Sequence, residues 1–294
     1  RQSSGMFERG WRRIGVLALF LGPSVVGLAI FTIGPMLASL GLSFTNWDLL
    51  TPAKFVGVGN YQRLMSDAEF WHTLKNTSMF LIGYVPLVLT LGLLVAVLLN
   101  AKIPFRQGFR VMYFVPVVTS WVAVALVWKW LFNPVYGLIN SGLALLGVTG
   151  PAWLFDPNWA MPAVILTSVW KDTGFIMVIL LAGLQGIPRE YYEAASIDGA
   201  SRPQSLWSIT LPLLTPSLIF CLSISLIGSF QVFDQVYVMT EGGPAGATMV
   251  MVERIVAHAF SYSHMGYASA WSWVLFVLIF AVTFFFYQLR RFNA

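Results

Sequence analysis

Glu190-Tyr191-Tyr192-Glu193-Ala194-Ala195-Ser196-Ile197-Asp198-Gly199-Ala200, with Ile209-Thr210-Leu211-Pro212 separated from the glycine by nine residues, is the stretch that decides the fold. It sets charge, two alanines, a glycine and a proline between two long apolar runs, 160–184 and 213–238. Pro188 to Ile197 reads as a short helix. Gly199 reads as its stop, because a glycine just past a helix takes the left-handed conformation without a Cβ clash. Ser201-Arg202-Pro203-Gln204 matches a capping box with proline in the first turn. Residues 187–212 are therefore expected as a helix, a glycine corner and a second short helix leading through Pro212 into the next apolar run. Ala194 and Ala195 let another protein approach closely. Tyr191 and Tyr192 are amphipathic anchors of the kind enriched at interfaces, and Glu193 offers a carboxylate to a basic partner. The plainer reading is a connector that packs on its own helices.

The surroundings explain why such a loop stands out. Of the 294 residues, 57% are hydrophobic and 10% charged, and the mean hydropathy is +0.75. Soluble domains carry about 25% charged residues. This chain cannot cover its surface with polar groups, so lipid is its solvent. The net charge of +5 lies in short loops between apolar runs rather than on one face, which excludes a nucleic-acid surface. Cys221 is the single cysteine, so there is no disulfide framework and no C-x-x-C pair. His72, His258 and His264 stand apart from Cys or Asp at ligand spacing, and no metal site is expected. No nucleophile, base and orienting group form a set, so no enzyme active site is expected.

A membrane-spanning helix needs about 20 mostly apolar residues. Six stretches qualify: 15–42, 74–99, 109–131, 160–184, 213–238 and 268–289. The first is too long for a signal-peptide core of about 7–15 residues. Pro86, Pro116 and Pro162 should kink or start spans. Basic residues set the orientation. Arg1, Arg9, Arg12, Arg13, Lys102, Arg106, Arg110, Arg189, Arg202, Arg290 and Arg291 fall on one side, and Lys54, Arg63, Lys75, Lys129 and Arg254 on the other. That bias puts both termini and the 187–212 loop in the cytoplasm of a multi-pass protein of the cell membrane. Trp47, Trp71, Trp128, Trp130, Trp153 and Trp159 lie near the outer ends, as an interfacial belt would. Three outer segments are long: 43–73, with a short helix expected over Asn60–His72, then 132–159, then 239–267, which opens with Thr240-Glu241-Gly242-Gly243-Pro244, a strong turn signal.

Polar groups inside spans are the remaining candidates. Lys171 and Asp172 lie about ten residues, roughly 15 Å, into the fourth span, near the midplane. Each costs about 2.5–3.5 kcal/mol there, so each is a functional candidate. Neighbours in sequence point about 100° apart on a helix, so the two are not expected to pair. In the fifth span Cys221, Ser225, Gly228 and Gln235 share a face, with Gln231 beside it and Asp234 near the outer end. Small and polar residues also serve close helix packing.

The loop pattern resembles the segment by which permease subunits of binding-protein-dependent ABC importers dock on their ATPase. Nearly the whole chain is similar to the carbohydrate branch, the first permease of maltose and glycerol-phosphate systems. Further matching stretches are Phe55-Val56-Gly57-Val58-Gly59-Asn60-Tyr61, Trp170-Lys171-Asp172-Thr173-Gly174-Phe175, Leu181 to Pro188, Phe233-Asp234-Gln235-Val236-Tyr237 and the Thr240–Pro244 turn. The long periplasmic insertion of the maltose type is absent, so the compact glycerol-phosphate type fits better.

The resemblance implies an all-α membrane protein with six transmembrane helices in one bundle, the type I importer permease fold, as a single domain over 1–294. It implies a second six-helix permease, two ATP-binding subunits that bind ATP and Mg, an extracytoplasmic solute-binding protein, and no cofactor in this chain. The chain has no phosphate-binding G-x-x-x-x-G-K-[ST], so ATP hydrolysis falls to a partner. Coupling to the ATPase would fall to Tyr191, Tyr192, Glu193, Ala194, Ala195, Asp198, Gly199 and Ala200. Candidates for the substrate pathway are Trp170, Lys171, Asp172, Ser225, Ser229, Gln231, Phe233 and Asp234, where polar groups could bond sugar hydroxyls and an aromatic ring could stack. The expected cargo is a sugar or sugar-like polyol. An importer for an amino acid or peptide, or a stand-alone secondary transporter or channel, are the alternatives.

Overall fold

The computed structural model describes residues 4–101 and 103–292. Arg1 and Lys102, both counted on the basic side, lie outside the described residues. In chain order the elements are α1 (Ser4–Leu28), a π-helical turn Ala29–Ile33, α2 (Gly34–Ser43), β1 (Thr45–Asn46), β2 (Lys54–Phe55), α3 (Gly59–Ser66), α4 (Ala68–Asn100), α5 (Arg106–Val118) and α6 (Trp121–Leu131). Then follow α7 (Leu138–Leu145), a 3₁₀ turn Trp153–Phe155, α8 (Pro157–Gln185), α9 (Arg189–Ile197), α10 (Arg202–Ser205), a π turn Leu206–Thr210 and α11 (Leu211–Phe230). The chain continues through α12 (Asp234–Met239), α13 (Met251–Val256), a π turn Ala257–Ser261 and α14 (Met265–Phe292).

Helices dominate because lipid offers the backbone no hydrogen-bond partners. Among the described residues five helical stretches are long and apolar enough to cross a membrane: Val16–Ser43, Ala68–Asn100, Pro157–Gln185, Arg202–Phe230 and Met265–Phe286. A sixth is made of α5 and α6 together, bent by 100°. This is an all-α fold with several helices long enough to span a membrane; β1 and β2 add only a two-residue antiparallel ribbon.

Three boundaries differ from the sequence reading. Asn60–His72 is not one helix. Asp67 is extended, and its carboxylate accepts a hydrogen bond from the Glu69 N–H, which caps a new helix, so the second span starts at Ala68. The third span, 109–131, is not continuous. Thr119 and Ser120 are extended, just past Pro116, whose ring supplies no backbone donor. The fifth span does not run on to 238. It begins at Arg202, ends at Phe230, and resumes as α12 after Gln231–Phe233, so Gln235 does not continue the α11 face.

The chain forms two compact units. One comprises residues up to Ser66 and Val256–Trp273. Asn60 is its clamp: buried, its amide donates to the carbonyls of Ser43 and Thr45 at 2.9 and 2.8 Å. Tyr61 shares a 2.7 Å hydrogen bond with Ser43 Oγ, and Arg63 lies 4.2 Å over the Tyr267 ring. This explains the Gly59-Asn60-Tyr61 stretch as a fastening of the chain where it leaves α2.

The second unit comprises Asp67–Ile255 and residues from Val274 on. Its core is the pairing of α4 with α8, through Phe80, Val88, Ala96, Met161, Val164, Ile176, Met177 and Leu180. Gly92 allows the close approach, since a Cβ there would stand 2.5 Å from Ile176. Gly174 of α8 lies so close to the Tyr113 carbonyl of α5 that no Cβ fits. The loop 240–250 is clamped to the start of α4. Asn76 donates to the Gly246 carbonyl at 2.9 Å, the Met251 N–H donates to Thr77 Oγ1, and Arg254 binds Glu69 at 3.1 Å and Glu253 through its other nitrogens.

Asn60→Ala leaves two carbonyls without their donor, a loss of about 1–3 kcal/mol for a buried polar group. The purified variant is expected to show a lower unfolding temperature than the parent, while Asn60→Asp recovers no more than the alanine variant, because a carboxylate cannot donate to carbonyls.

Candidate functional site

The eight candidate coupling residues sit on α9 and its corner. Pro188 is extended at the entry and α9 runs from Arg189 to Ile197. Gly199 has φ +79°, with the Gly199 N–H donating to Ser196 O at 3.2 Å and the Ala200 N–H to Ala195 O at 2.9 Å. These two bonds make a Schellman motif, which satisfies the last carbonyls of the helix. No atom crowds the place of a Cβ at Gly199, so the backbone angle alone requires glycine. The Ser201 N–H donates to Gln204 Oε1 at 2.7 Å, and α10 passes through the π turn into α11 without a break. The expected helix, corner and second helix are thus present.

The eight candidates do not share one face. Tyr191, Glu193, Ala194, Asp198 and Gly199 are exposed, whereas Tyr192, Ala195 and Ala200 are half-buried. The Tyr192 hydroxyl meets Thr210 Oγ1 at 3.0 Å, tying α9 to the turn that opens α11. Tyr192 and Ala200 line a cavity of about 590 Å³ between α9 and the 202–210 segment. Two residues outside the eight candidates are also exposed in this segment: Ile197, 87% exposed, and Trp207, 71% exposed. Their signal was available as large apolar side chains within the one strongly polar stretch.

In the membrane interior, Lys171 and Asp172 take separate partners, as their spacing implied. Lys171 is buried; its ammonium donates to the carbonyls of Pro116 and Val117, both at 3.0 Å, and lies 4.8 Å from the Trp121 ring centre. These carbonyls belong to the last turn of α5, at the 100° bend, where the Pro116 oxygen also accepts from the Thr119 N–H at 3.3 Å. A cation suits the negative end of a helix, and the ring face adds attraction. Asp172 accepts from the Tyr84 hydroxyl at 2.9 Å, joining α8 to α4.

The other pathway candidates are dispersed. Trp170 packs edge-on against Trp128 at 5.5 Å and lines an apolar cavity of about 730 Å³ inside the α5–α6 bend; Lys171 and Asp172 do not line it. Ser225 and Ser229 are buried on α11, where Ser229 Oγ donates to the Ser225 carbonyl and Ser225 Oγ has no partner. Gln231 and Asp234 are exposed around the break after α11, and Phe233 stacks on Tyr237 at 5.2 Å. The structure thus brings together Lys171 with the bend, and Asp172 with Tyr84, but assembles no single pocket from all eight. Among the described residues no three of His, Cys, Asp and Glu are placed to hold a metal.

A long apolar chain with an exposed helix-corner-helix loop matches one family profile, the inner membrane component of binding-protein-dependent transport systems, over residues 88–292. This chain belongs to that family. Over its length it is 38% identical to the trehalose/maltose transport system permease of Thermococcus litoralis, across 94% of this chain and 93% of that one. It is 36% identical to the sulfoquinovosyl glycerol transport system permease of Agrobacterium fabrum, across 93% and 90%. Its fold matches a chain of a crystallised bacterial ABC transporter for alginate import, with TM-score 0.85 at 24% identity, over 97% of this chain and 98% of that one. The chain is therefore a non-catalytic permease subunit of an ABC importer, which takes a solute from an extracytoplasmic binding protein and works with a second permease and ATPase subunits.

Lys171→Met removes both donors from the bend in a medium without water. It is expected to destabilise the protein by about 1–3 kcal/mol, seen as a lower unfolding temperature, and to lower uptake. Lys171→Arg should retain most of both. Uptake lost at unchanged unfolding temperature would instead assign Lys171 to the substrate pathway.

Proposed function

We propose that this chain is a permease of an importer for a sugar or sugar-like polyol, with both termini cytoplasmic, and that α9 is its contact with the ATPase. The observation that carries this is the α9 corner, where a Schellman turn at Gly199 and the Tyr192–Thr210 contact join an exposed helix to the fifth span. A helix fixed at both ends moves as one piece with what it is fixed to. Closure of two ATP-loaded subunits would press on Tyr191, Glu193, Ala194 and Ile197, and the push would reach α11 through the corner and through Tyr192. Tilting of α11 against α4 and α8 is how the subunit would alternate between faces of the membrane. Ala194 keeps the contact close, and Glu193 supplies a carboxylate for a basic group.

The excess of basic residues on the side of α9 supports the cytoplasmic placement. The cargo rests on resemblance: relatives named for trehalose and maltose, and for sulfoquinovosyl glycerol, are similar over nearly the whole chain. In this reading Trp170, beside its cavity, and Phe233 with Gln231 and Asp234 at the outer end of α11, are the groups for sugar rings and hydroxyls. The clamped 240–250 loop is the part of the outer surface that would meet the binding protein.

Isolation from the native membrane in mild detergent, with stoichiometry by mass spectrometry, tests this. The expected result is a second six-helix permease and two copies of an ATP-binding subunit, the latter lost with Glu193→Ala plus Gly199→Pro while the permease pair persists. Ligand profiling of the co-purified binding protein should return a saccharide or polyol. Recovery alone, with transport indifferent to ATP, or a binding protein specific for amino acids or peptides, would contradict the proposal.

A further inference from the structure

A second polar site lies at the ends of three spans. The end of α4, the first turns of α5, the end of α8 and the start of α9 enclose a cavity of about 760 Å³, within the roughly 300–1,000 Å³ range of small-ligand pockets. Arg106, Arg110 and Arg189 line it, and among the described residues no Asp or Glu does. With the Gln185 amide turned to suit its neighbours, its oxygen accepts from Arg106 and from Arg110, both at 2.8 Å. Two guanidinium groups thus converge on one neutral oxygen. Their Nε–H groups are buried without a partner. Buried donors without acceptors, and charges without counterions, mark a place built for an anion.

The adjoining surface says which kind of anion. Arg110 also lines a second groove, of about 330 Å³, whose other walls are Val111, Phe114, Val115, Val118 and Val178. It follows α5 for eight residues, about 12 Å of helix. A free phosphate has no use for such a groove, whereas an acyl chain does. Planar guanidinium groups bind phosphate through paired hydrogen bonds, and basic pockets between spans hold anionic lipid headgroups.

We infer that Arg106, Arg110 and Arg189 hold the phosphate of an anionic glycerophospholipid, one of whose chains lies in the apolar groove along α5. The lipid would sit where α9 leaves the membrane, against Tyr192, and would fill the space between the coupling helix and the span ends. The inference does not depend on the cargo or on the ATPase contact.

The test uses the whole importer complex extracted in mild detergent, with retained lipid read by native mass spectrometry. The parent complex is expected to keep phosphatidylglycerol-class lipid in preference to phosphatidylcholine. Arg106→Gln plus Arg110→Gln should retain about tenfold less or lower, since each basic residue near a membrane contributes severalfold in binding. Lys54→Gln plus Lys75→Gln, an equal loss of charge elsewhere, should retain as much as the parent. Equal retention in the arginine variant overturns the inference. So does stabilisation of the delipidated parent by inorganic phosphate with no lipid kept, which means a free-anion site. If the double variant does not assemble, the parent complex is exchanged into phosphatidylcholine vesicles with rising phosphatidylglycerol. Saturable enrichment of the anionic lipid supports the site, and enrichment in simple proportion to the bulk overturns it. Failure of the ATPase-docking proposal would leave these readouts unchanged.

Discussion

The constraint on which the rest depends is that a backbone in lipid must satisfy its own hydrogen bonds. It turns the apolar runs into helices, and it makes every interruption costly unless another group stands in. The α5–α6 bend shows how the cost is met. The carbonyls of Pro116 and Val117, in the last turn before the helix stops, receive the Lys171 ammonium, and Trp121 covers it. One lysine therefore answers two problems, its own burial and the open end of a helix. The bend in turn creates the apolar cavity that Trp170 lines.

The same constraint relaxes at the membrane edge, and there the chain places its connecting parts. α9 is short and polar, so it would be marginal alone. It is held by its corner at Gly199, by Tyr192 on Thr210, and by continuity of α10 with α11. The segment after α12 uses a different device. Loop 240–250 is pinned to α4 through Asn76, Thr77 and the buried Arg254 with Glu69 and Glu253. Removal of one partner from such a buried charge group costs more than the pair contributes, so the loop is held in one arrangement.

Much of this was legible in the sequence. Hydropathy located the long apolar helices, five unbroken and one bent pair among the described residues, because an apolar stretch of sufficient length has few alternatives. Gly199 and Ser201-Arg202-Pro203-Gln204 announced the corner, because their conformational preferences are local. What escaped the sequence depended on distant contacts. Asp67 looked like one more polar residue until it capped α4. The stop after Phe230 has no proline or glycine at Gln231–Phe233 to announce it. The carbonyl partners of Lys171 were out of reach too, because the sequence shows a charge in a span but not what lies beside it. Asn60 read as part of a family motif, and its role as a clamp on Ser43 and Thr45 required the fold. The exposure of Ile197 and Trp207 likewise depended on the fold, because an apolar side chain in a sequence does not show whether it is covered.

The central claim is that the exposed face of α9 meets the ATPase. Cys221 is the sole cysteine and is buried, so its replacement by alanine gives a background for a single new thiol. A thiol-linked photo-crosslinker at Ile197→Cys, in the assembled importer, measures the contact directly. The account predicts a product of this chain with the ATP-binding subunit, and no such product from Leu50→Cys between β1 and β2. A crosslink from Ile197 only to this chain, to the second permease or to lipid would contradict it.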